Sequence, residues 1–317
     1  MKNIYSNIFK VNNKNLYTAV KYLKKNELVA VPTETVYGLA GNAYSDKSIK
    51  KIFDLKKRPR KNPLIIHYNN RKNLEKDVEI NKKFLRLYKY FCPGPLTFIL
   101  KKRRSSKISK IATSNLNTVA VRFPKNRTIK GILKKVKFPL AIPSANKSSG
   151  ISPVSAKDVN DEFGKKIKII LDGGRCRIGL ESTVLDLTKK LNILRPGIIS
   201  SGEIKKAIKL NPSFSKNQKI IRSPGLIKKH YSPGIPMKLN QKSAKSNCAF
   251  IILGKKYNKE KNTFNLSRNA NLNEAARNLY KILREIKKKK YKKIYVVRIP
   301  NRGIGIAIND RLKHAAS

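Results

Sequence analysis

Cysteine is scarce and scattered. Cys92, Cys176 and Cys248 are the only three in the chain. They form no C-x-x-C pair, which excludes a zinc ribbon and argues against a secreted disulfide framework. Long apolar runs are missing too. Nothing approaches the roughly 18 consecutive apolar residues that a membrane span needs. The opening MKNIYSNIFKVNNKN has no continuous apolar stretch, so a secretory signal is not expected and the expected compartment is the cytoplasm. There is no G-x-x-x-x-G-K-[ST] phosphate cradle and no G-x-S-x-G nucleophile turn. The three histidines, His67, His230 and His314, have no metal-ligand spacing, and no metal site is expected from them. Gly303 and Gly305 begin a G-x-G, but Ile308 stands where a third glycine belongs. A tight loop before a helix is the reading there.

Acid is the other shortage. The 317 residues hold 18 Asp+Glu against 73 Lys+Arg, a formal net charge of +55. Clustered cations bind nucleic-acid phosphates by releasing counterions. The excess here is mostly lysine, spread along the whole chain and accompanied by many Ile and Asn, which is also how a compositional bias looks. Charge alone therefore speaks to association and not to chemistry.

What is present is a globular composition, 40% hydrophobic, in a length ample for one or two cores. Residues 1–210 alternate short β-branched runs with helical patterns. LVAVP, PLIIHY, LTFIL, TVAVRF, PLAIP, IKIILD and STVLDL read as buried strands. SDKSIKKIFDLKK puts Ile49, Ile52 and Phe53 on one helical face, and NKKFLRLYKYF does the same with Phe84, Leu87, Tyr88 and Phe91. The expectation is an α/β or α+β domain built on one twisted sheet. Residues 211–237 carry two SPG tripeptides and read as a linker or lid. Residues 238–317 read strand, helix, strand, helix, a small parallel α/β module.

Polar residues collect at the ends of these strands. VPTETVYGLAGNA follows the first and reads as a turn of hydroxyl residues, with Thr33, Glu34, Thr35 and Tyr37 between the strand and Gly38 and Gly41. LKKRPRKNPLIIH crowds Lys56, Lys57, Arg58, Arg60 and Lys61 at a helix end. Capping by cations is one account; an oligophosphate site is the other, favoured by the stiffening Pro59 and Pro63. TVAVRFP ends on Arg122, IPSANKSSGISP carries Ser144 and Asn146, ESTVLDL opens with Ser182 and Thr183, and ILRPG ends on Arg195. Strand ends rich in basic and hydroxyl groups, with almost no acid, suit an anionic ligand across the sheet edge.

Taken in order, VPTETVYGLAGNA, Lys56-x-Arg58, NPLIIH, CPGPLTFIL, TVAVRFP, Ser144-x-Asn146, ESTVLDL and ILRPG resemble the YrdC-like threonylcarbamoyl-AMP synthase family. SPGLIKKHYSP, NLYKILREI and GIGIAINDRLKHAA resemble its longer version with a C-terminal accessory domain. The resemblance implies a YrdC-like twisted mixed sheet with surrounding helices and a large basic cavity, plus a small Rossmann-like C-terminal domain. It implies that L-threonine, bicarbonate and ATP become L-threonylcarbamoyladenylate and pyrophosphate. The product would pass to a tRNA threonylcarbamoyl transferase that acts beside the anticodon. By the same resemblance Lys56 and Arg58 are catalytic and, with Ser144 and Asn146, bind nucleotide. Asn62, Thr118, Ser152, Arg195 and Tyr231 add ATP contacts. Thr35, His67, Arg122, Ser144 and Ser182 hold threonine, Arg122 taking its carboxylate. His230 and Tyr231 form a lid, and Mg²⁺ accompanies ATP, held by phosphates and water. Two competing expectations are a tRNA- or double-stranded-RNA-binding protein with a vestigial cavity, and a carbamoyl transfer like that of larger enzymes containing a YrdC-like domain. The chain lacks the acylphosphatase-like and zinc-finger segments that the latter would need.

Overall fold

The computed structural model describes residues 6–214, 230–256 and 262–317. Most of the linker expected at 211–237 lies outside the described residues. Among the described residues eleven strands form one mixed sheet, in the order Ile8–Lys10, Ile170–Asp172, Val29–Val31, Gly38–Asn42, Leu140–Ala141, Ile65–His67, Thr118–Arg122, Leu96–Lys101, Thr183–Asp186, Asn192–Arg195, Ser213–Phe214. All seven β-branched runs read from the sequence supply strands to it. Central strands buried on both faces need apolar side chains on both, so they read as runs and not as alternation. Leu96–Lys101 is the example. Leu96, Phe98 and Leu100 enter the main core, while Ile99 joins Ile65, Ala120, Val184 and Leu194 in a smaller cluster.

In VPTETVYGLAGNA the turn expected at Thr33 to Tyr37 is followed by a strand that was not expected. Gly38–Asn42 is a strand, antiparallel to Val29–Val31. Glycine reads as a breaker, but Gly38 is there because Ile142 and Pro143 pack against the place where a Cβ would stand. Only the residues between the two strands turn. Ser213–Phe214, expected in the linker, pairs parallel with Asn192–Arg195 at the sheet edge.

Helix ends follow ordinary capping chemistry. Ser45 accepts from the Ser48 N–H at the start of Asp46–Lys56, and Asn81 accepts from the Phe84 N–H before Lys82–Phe91. Ile49, Ile52 and Phe53 of the first helix are buried, which fixes the helix on the core and delivers its last residue, Lys56, to the interior.

A second sheet has four parallel strands, in the order Met237–Lys238, Ile294–Val296, Ala249–Ile252, Thr263–Asn265, with helices Leu272–Lys288 and Gly305–Ala316. Two of these strands, Met237–Lys238 and Thr263–Asn265, were not legible as strands. The helix Leu272–Lys288 packs on the first domain. Gly179 sits at φ +78, and a Cβ there would fall 2.7 Å from the Arg277 Cα. Arg175 Nη2 donates to the Arg277 carbonyl at 2.7 Å, Arg277 Nε donates to the Arg177 carbonyl at 3.0 Å, and Lys288 pairs with Asp161 at 2.7 Å. No helix among the described residues is long and apolar enough to cross a membrane.

Candidate active site

Strand register assembles the site. His67 lies opposite Arg122, and Arg122 lies opposite Thr97 on the next strand. Residues directly opposite share a face, so three strands present one row of polar groups. The Thr97 and Ser182 hydroxyls lie 2.7 Å apart, which brings the start of ESTVLDL to the same row. Arg195 donates through Nε and Nη2 to the Ser182 carbonyl, at 3.2 and 3.1 Å. Above this floor, Thr35, Arg58, His67, Arg122, Ser144, Ser182, Arg195, His230 and Tyr231 line one cavity. The separate strand ends thus converge.

Four further predicted residues sit directly behind that wall. Lys56 donates to the carbonyls of Ser144, at 2.5 Å, and of Asn146. Its ammonium clamps the loop that carries the cavity's Ser144. Asn62 holds Arg58: Arg58 Nε donates to the Asn62 carbonyl at 2.8 Å and Nη2 to the Asn62 Oδ1 at 2.5 Å. Asn146 Nδ2 donates within its own loop, to the carbonyls of Lys147 and Gly150 at 2.6 and 3.0 Å. Ser152 donates to Glu181 Oε1 at 2.6 Å.

Thr118 is the exception. It begins the strand that Arg122 ends and lies opposite Lys101. Four strand steps of about 3.3 Å each separate it from the polar row. It lines a different, open cleft with Lys101, Lys102, Arg103 and Lys189. Thr118 thus lies outside the lining of the cavity that Arg122 faces.

Two acids are built into this basic site, against the expectation of almost none. Arg122 Nη2 donates to Glu34 Oε1 at 2.7 Å and Nη1 to Thr35 Oγ1 at 2.9 Å, both carboxylate and guanidinium buried. Burial opposes ionising Glu34. The Arg122 charge, with hydrogen bonds from Arg122 and backbone N–H groups, holds its pKa below the ordinary carboxylate value. Glu181 lines the cavity and accepts from Ser152, from the Tyr280 hydroxyl at 2.8 Å and from Arg311 Nε at 2.8 Å. Burial again opposes its charge, but Arg311 and Arg195 bring its pKa to about 2. Tyr280 and Arg311 come from the second domain, and sequence reasoning did not find them. An arginine and a tyrosine inside amphipathic helices carry no local mark of a partner in another domain.

Burial dominates the remaining titrations. It lowers Lys56 well below the usual ammonium value, with the Arg58 charge adding to the effect. It brings Arg58 to about 9, leaving it cationic at neutral pH. It lowers His67 well below the usual imidazole range, helped by Arg122, and His230 to about 3. It raises the Tyr231 hydroxyl to about 12. Both cavity histidines are therefore neutral. Asn146 Oδ1, His230 Nδ1 and Tyr231 Oη are buried with no hydrogen-bond partner among the described residues. Buried polar atoms of that kind are what a ligand site offers. The cavity is thus an anion-receiving site with a neutral hydroxyl and imidazole rim.

This combination of sheet and basic cavity has close counterparts. Residues 21–197 match the Sua5, YciO and YrdC family model, described as "Telomere recombination", and residues 199–317 match the model for the "Threonylcarbamoyl-AMP synthase, C-terminal domain". The threonylcarbamoyl-AMP synthase of Pyrococcus abyssi is 37% identical over 94% of this chain and 93% of its own length. That of Bacillus subtilis is 35% identical over 96% and 94%. The crystal structure of P. abyssi Sua5 complexed with L-threonine superposes with a TM-score of 0.91 at 33% identity, covering 98% of this chain and 97% of that one. The fold and cavity are those of the YrdC-like class. Within it, the chain belongs to the threonylcarbamoyl-AMP synthase family, in the form with the C-terminal domain.

Proposed function

We propose that this chain joins L-threonine, bicarbonate and ATP into L-threonylcarbamoyladenylate and releases pyrophosphate. The observation that carries the reading is the convergence of Arg122, His67 and Ser182 with Arg58, Arg195 and Tyr231 on one cavity. The first group suits an amino acid and the second a nucleotide. A guanidinium has five N–H donors. Those of Arg122 are committed to Glu34, Thr35 and, at 3.4 Å, the Gly94 carbonyl, leaving one on each terminal nitrogen for a substrate carboxylate. Glu34 fixes the plane in which that carboxylate is met.

The chemistry then needs positioning more than a dedicated base. The neutral threonine amine forms an N–C bond with carbon dioxide derived from bicarbonate and loses a proton. A carbamate oxygen bonds to the α-phosphorus, and the bond to the β-phosphate breaks as pyrophosphate leaves. Arg58 and Arg195 stand where phosphate charge is neutralised, and burial strengthens each contact. The His230 and Tyr231 wall excludes water from the mixed anhydride. Mg²⁺ belongs to this reading as the partner of ATP. Glu34 and Glu181 are both held by arginine, so the ion would rest on phosphate and water oxygens, where it supplies charge neutralisation. The product is consumed by a tRNA threonylcarbamoyl transferase, and the cytoplasm is the compartment we assign. An intact, assembled cavity weighs against the reading in which it is vestigial and the chain only binds RNA.

Arg58→Ala tests the proposal. Threonine-dependent pyrophosphate release from ATP is expected to fall by about a thousandfold, the scale of losing a preorganised charge contact in a dry site. Full activity in that variant would overturn the assignment of the site.

A further inference from the structure

Tyr231 holds a backbone conformation that few bulky residues adopt. Its φ is 61°, in the left-handed region. Such a residue persists only where its surroundings over-determine it. Here they do so from both sides. The His230 N–H donates to the His314 carbonyl at 3.0 Å, and the Ser232 N–H to the Ser149 carbonyl at 2.9 Å. The Tyr231 ring is stacked on Tyr280, centroids 5.9 Å apart, and the Arg311 guanidinium lies over it at 5.1 Å. Arg311 is fully buried, and its Nε donates to Glu181. Tyr280 donates to the same carboxylate. One arginine from the last helix thus touches, at once, the ring and the carboxylate that form one wall of the cavity, 130 residues from its glutamate partner.

A merely structural ion pair would not be built this way. Two charges taken into a protein interior recover their desolvation cost poorly. The exposed pair Lys288–Asp161 and the Arg175 and Arg277 contacts already join the domains without burying charge in this way. The buried arginine is instead placed where its planar face meets the tyrosine and its edge meets the glutamate. Lysine has neither the plane nor the fork. Arg311 does not line the cavity itself, so it acts through the residues that do.

We infer that Arg311, assisted by Tyr280, is a positioning residue through which the C-terminal domain sets Tyr231 and Glu181 in the nucleotide half of the cavity. The inference rests on the synthase reading for its choice of ATP as ligand. It gives the C-terminal domain a part in the site.

The test uses the full chain with Arg311→Met, Arg311→Lys, Tyr231→Ala, the double variant Arg311→Met/Tyr231→Ala, and Lys288→Ala as a surface control. ATP affinity is titrated directly, the KM values for ATP and threonine are measured separately, and Tm is recorded for each. Arg311→Met is expected to weaken ATP binding about tenfold and to leave the threonine KM within about twofold, the split expected when one ligand's contacts are lost. Arg311→Lys should keep Tm closer to that of the unsubstituted chain yet fail to restore ATP affinity. In the Tyr231→Ala background the Arg311→Met effect should shrink but not vanish, because part of it runs through the ring and the rest through Glu181. Unchanged ATP affinity in Arg311→Met would overturn the inference. So would an equal loss for ATP and threonine, a full rescue by lysine, or additive effects in the double variant. Failure of the synthase reading looks different: an unsubstituted chain that binds ATP but releases no threonine-dependent pyrophosphate.

Discussion

Arg122 and Arg311 make an instructive pair. Each is buried, and each binds a buried glutamate at 2.7 or 2.8 Å. Arg122 ends a strand, faces the cavity and meets Glu34 within the same sheet domain. Arg311 lies in the last helix, stays outside the cavity and meets Glu181 across a domain boundary. The first holds a guanidinium ready for substrate. The second holds other residues that are ready for substrate. Similar energetics thus serve two different functional roles, and position relative to the cavity decides which.

The largest effects should come from breaking either pair. Arg122→Ala leaves Glu34 buried and uncompensated, a loss of about 3–5 kcal/mol of stability on the usual scale for one-sided removal. Threonine-dependent activity should disappear with it. Glu181→Ala leaves Arg311 with Asp310 as its remaining carboxylate partner and should cost less in a denaturant titration, but the folded enzyme should show a weakened ATP KM and not a weakened threonine KM. Equal damage to both KM values in both variants would erase the distinction between the two arginines.

A second effect, intermediate in size, lies in pH dependence. His67 stands with Arg122, and His230 stands beside Tyr231 and the Arg311 network. Both have folded pKa values below the ordinary 6.5. Below pH 6.5 the unfolded chain therefore binds protons that the folded chain refuses. Stability is fully present above that pH and is lost as pH falls toward the folded values, by up to about 1.4 kcal/mol per pH unit for each histidine. Glu181 adds a further loss in a lower window, from 4.5 down to about 2. Replacing either His67 or His230 with Gln should remove about half of the slope between pH 6 and 5 in thermal melts. A slope unchanged by both substitutions would show that neither imidazole is buried neutral.

The smallest effect is expected at Thr118. Thr118→Ala should leave kcat and both KM values within about twofold, since a surface substitution away from the site changes little. A large rise in the ATP KM would mean that the cleft lined by Lys101 and Arg103 belongs to the nucleotide site.

Much of this was legible before the fold. The buried strands announced themselves as β-branched runs, and the polar residues following them were found because a buried strand must end where its backbone or side chains meet something polar. Register then did what sequence could not. It separated Arg122 from Thr118, which share a strand and a face but occupy opposite ends. Gly38–Asn42 did not stand out as a strand because Gly38 and Gly41 interrupt the β-branched pattern, although Gly38 is what permits the close approach of Ile142. Glu34 was seen only as one member of a polar turn, and its partner became visible when two distant strands were placed side by side. Tyr280 and Arg311 were invisible for a deeper reason. Their helices have regular apolar faces, and a charged residue that turns inward at a domain interface has the same spelling as one that points to water.

The central claim is that an amino acid and a triphosphate meet in one cavity and are joined there through bicarbonate carbon. Mass spectrometry of the products formed from ATP, L-threonine and carbon-labelled bicarbonate tests it most directly, with serine in place of threonine as the comparison. The account predicts labelled L-threonylcarbamoyladenylate and pyrophosphate, with far less adduct from serine. ATP breakdown that ignores threonine, or an adenylate that carries no label, would contradict it.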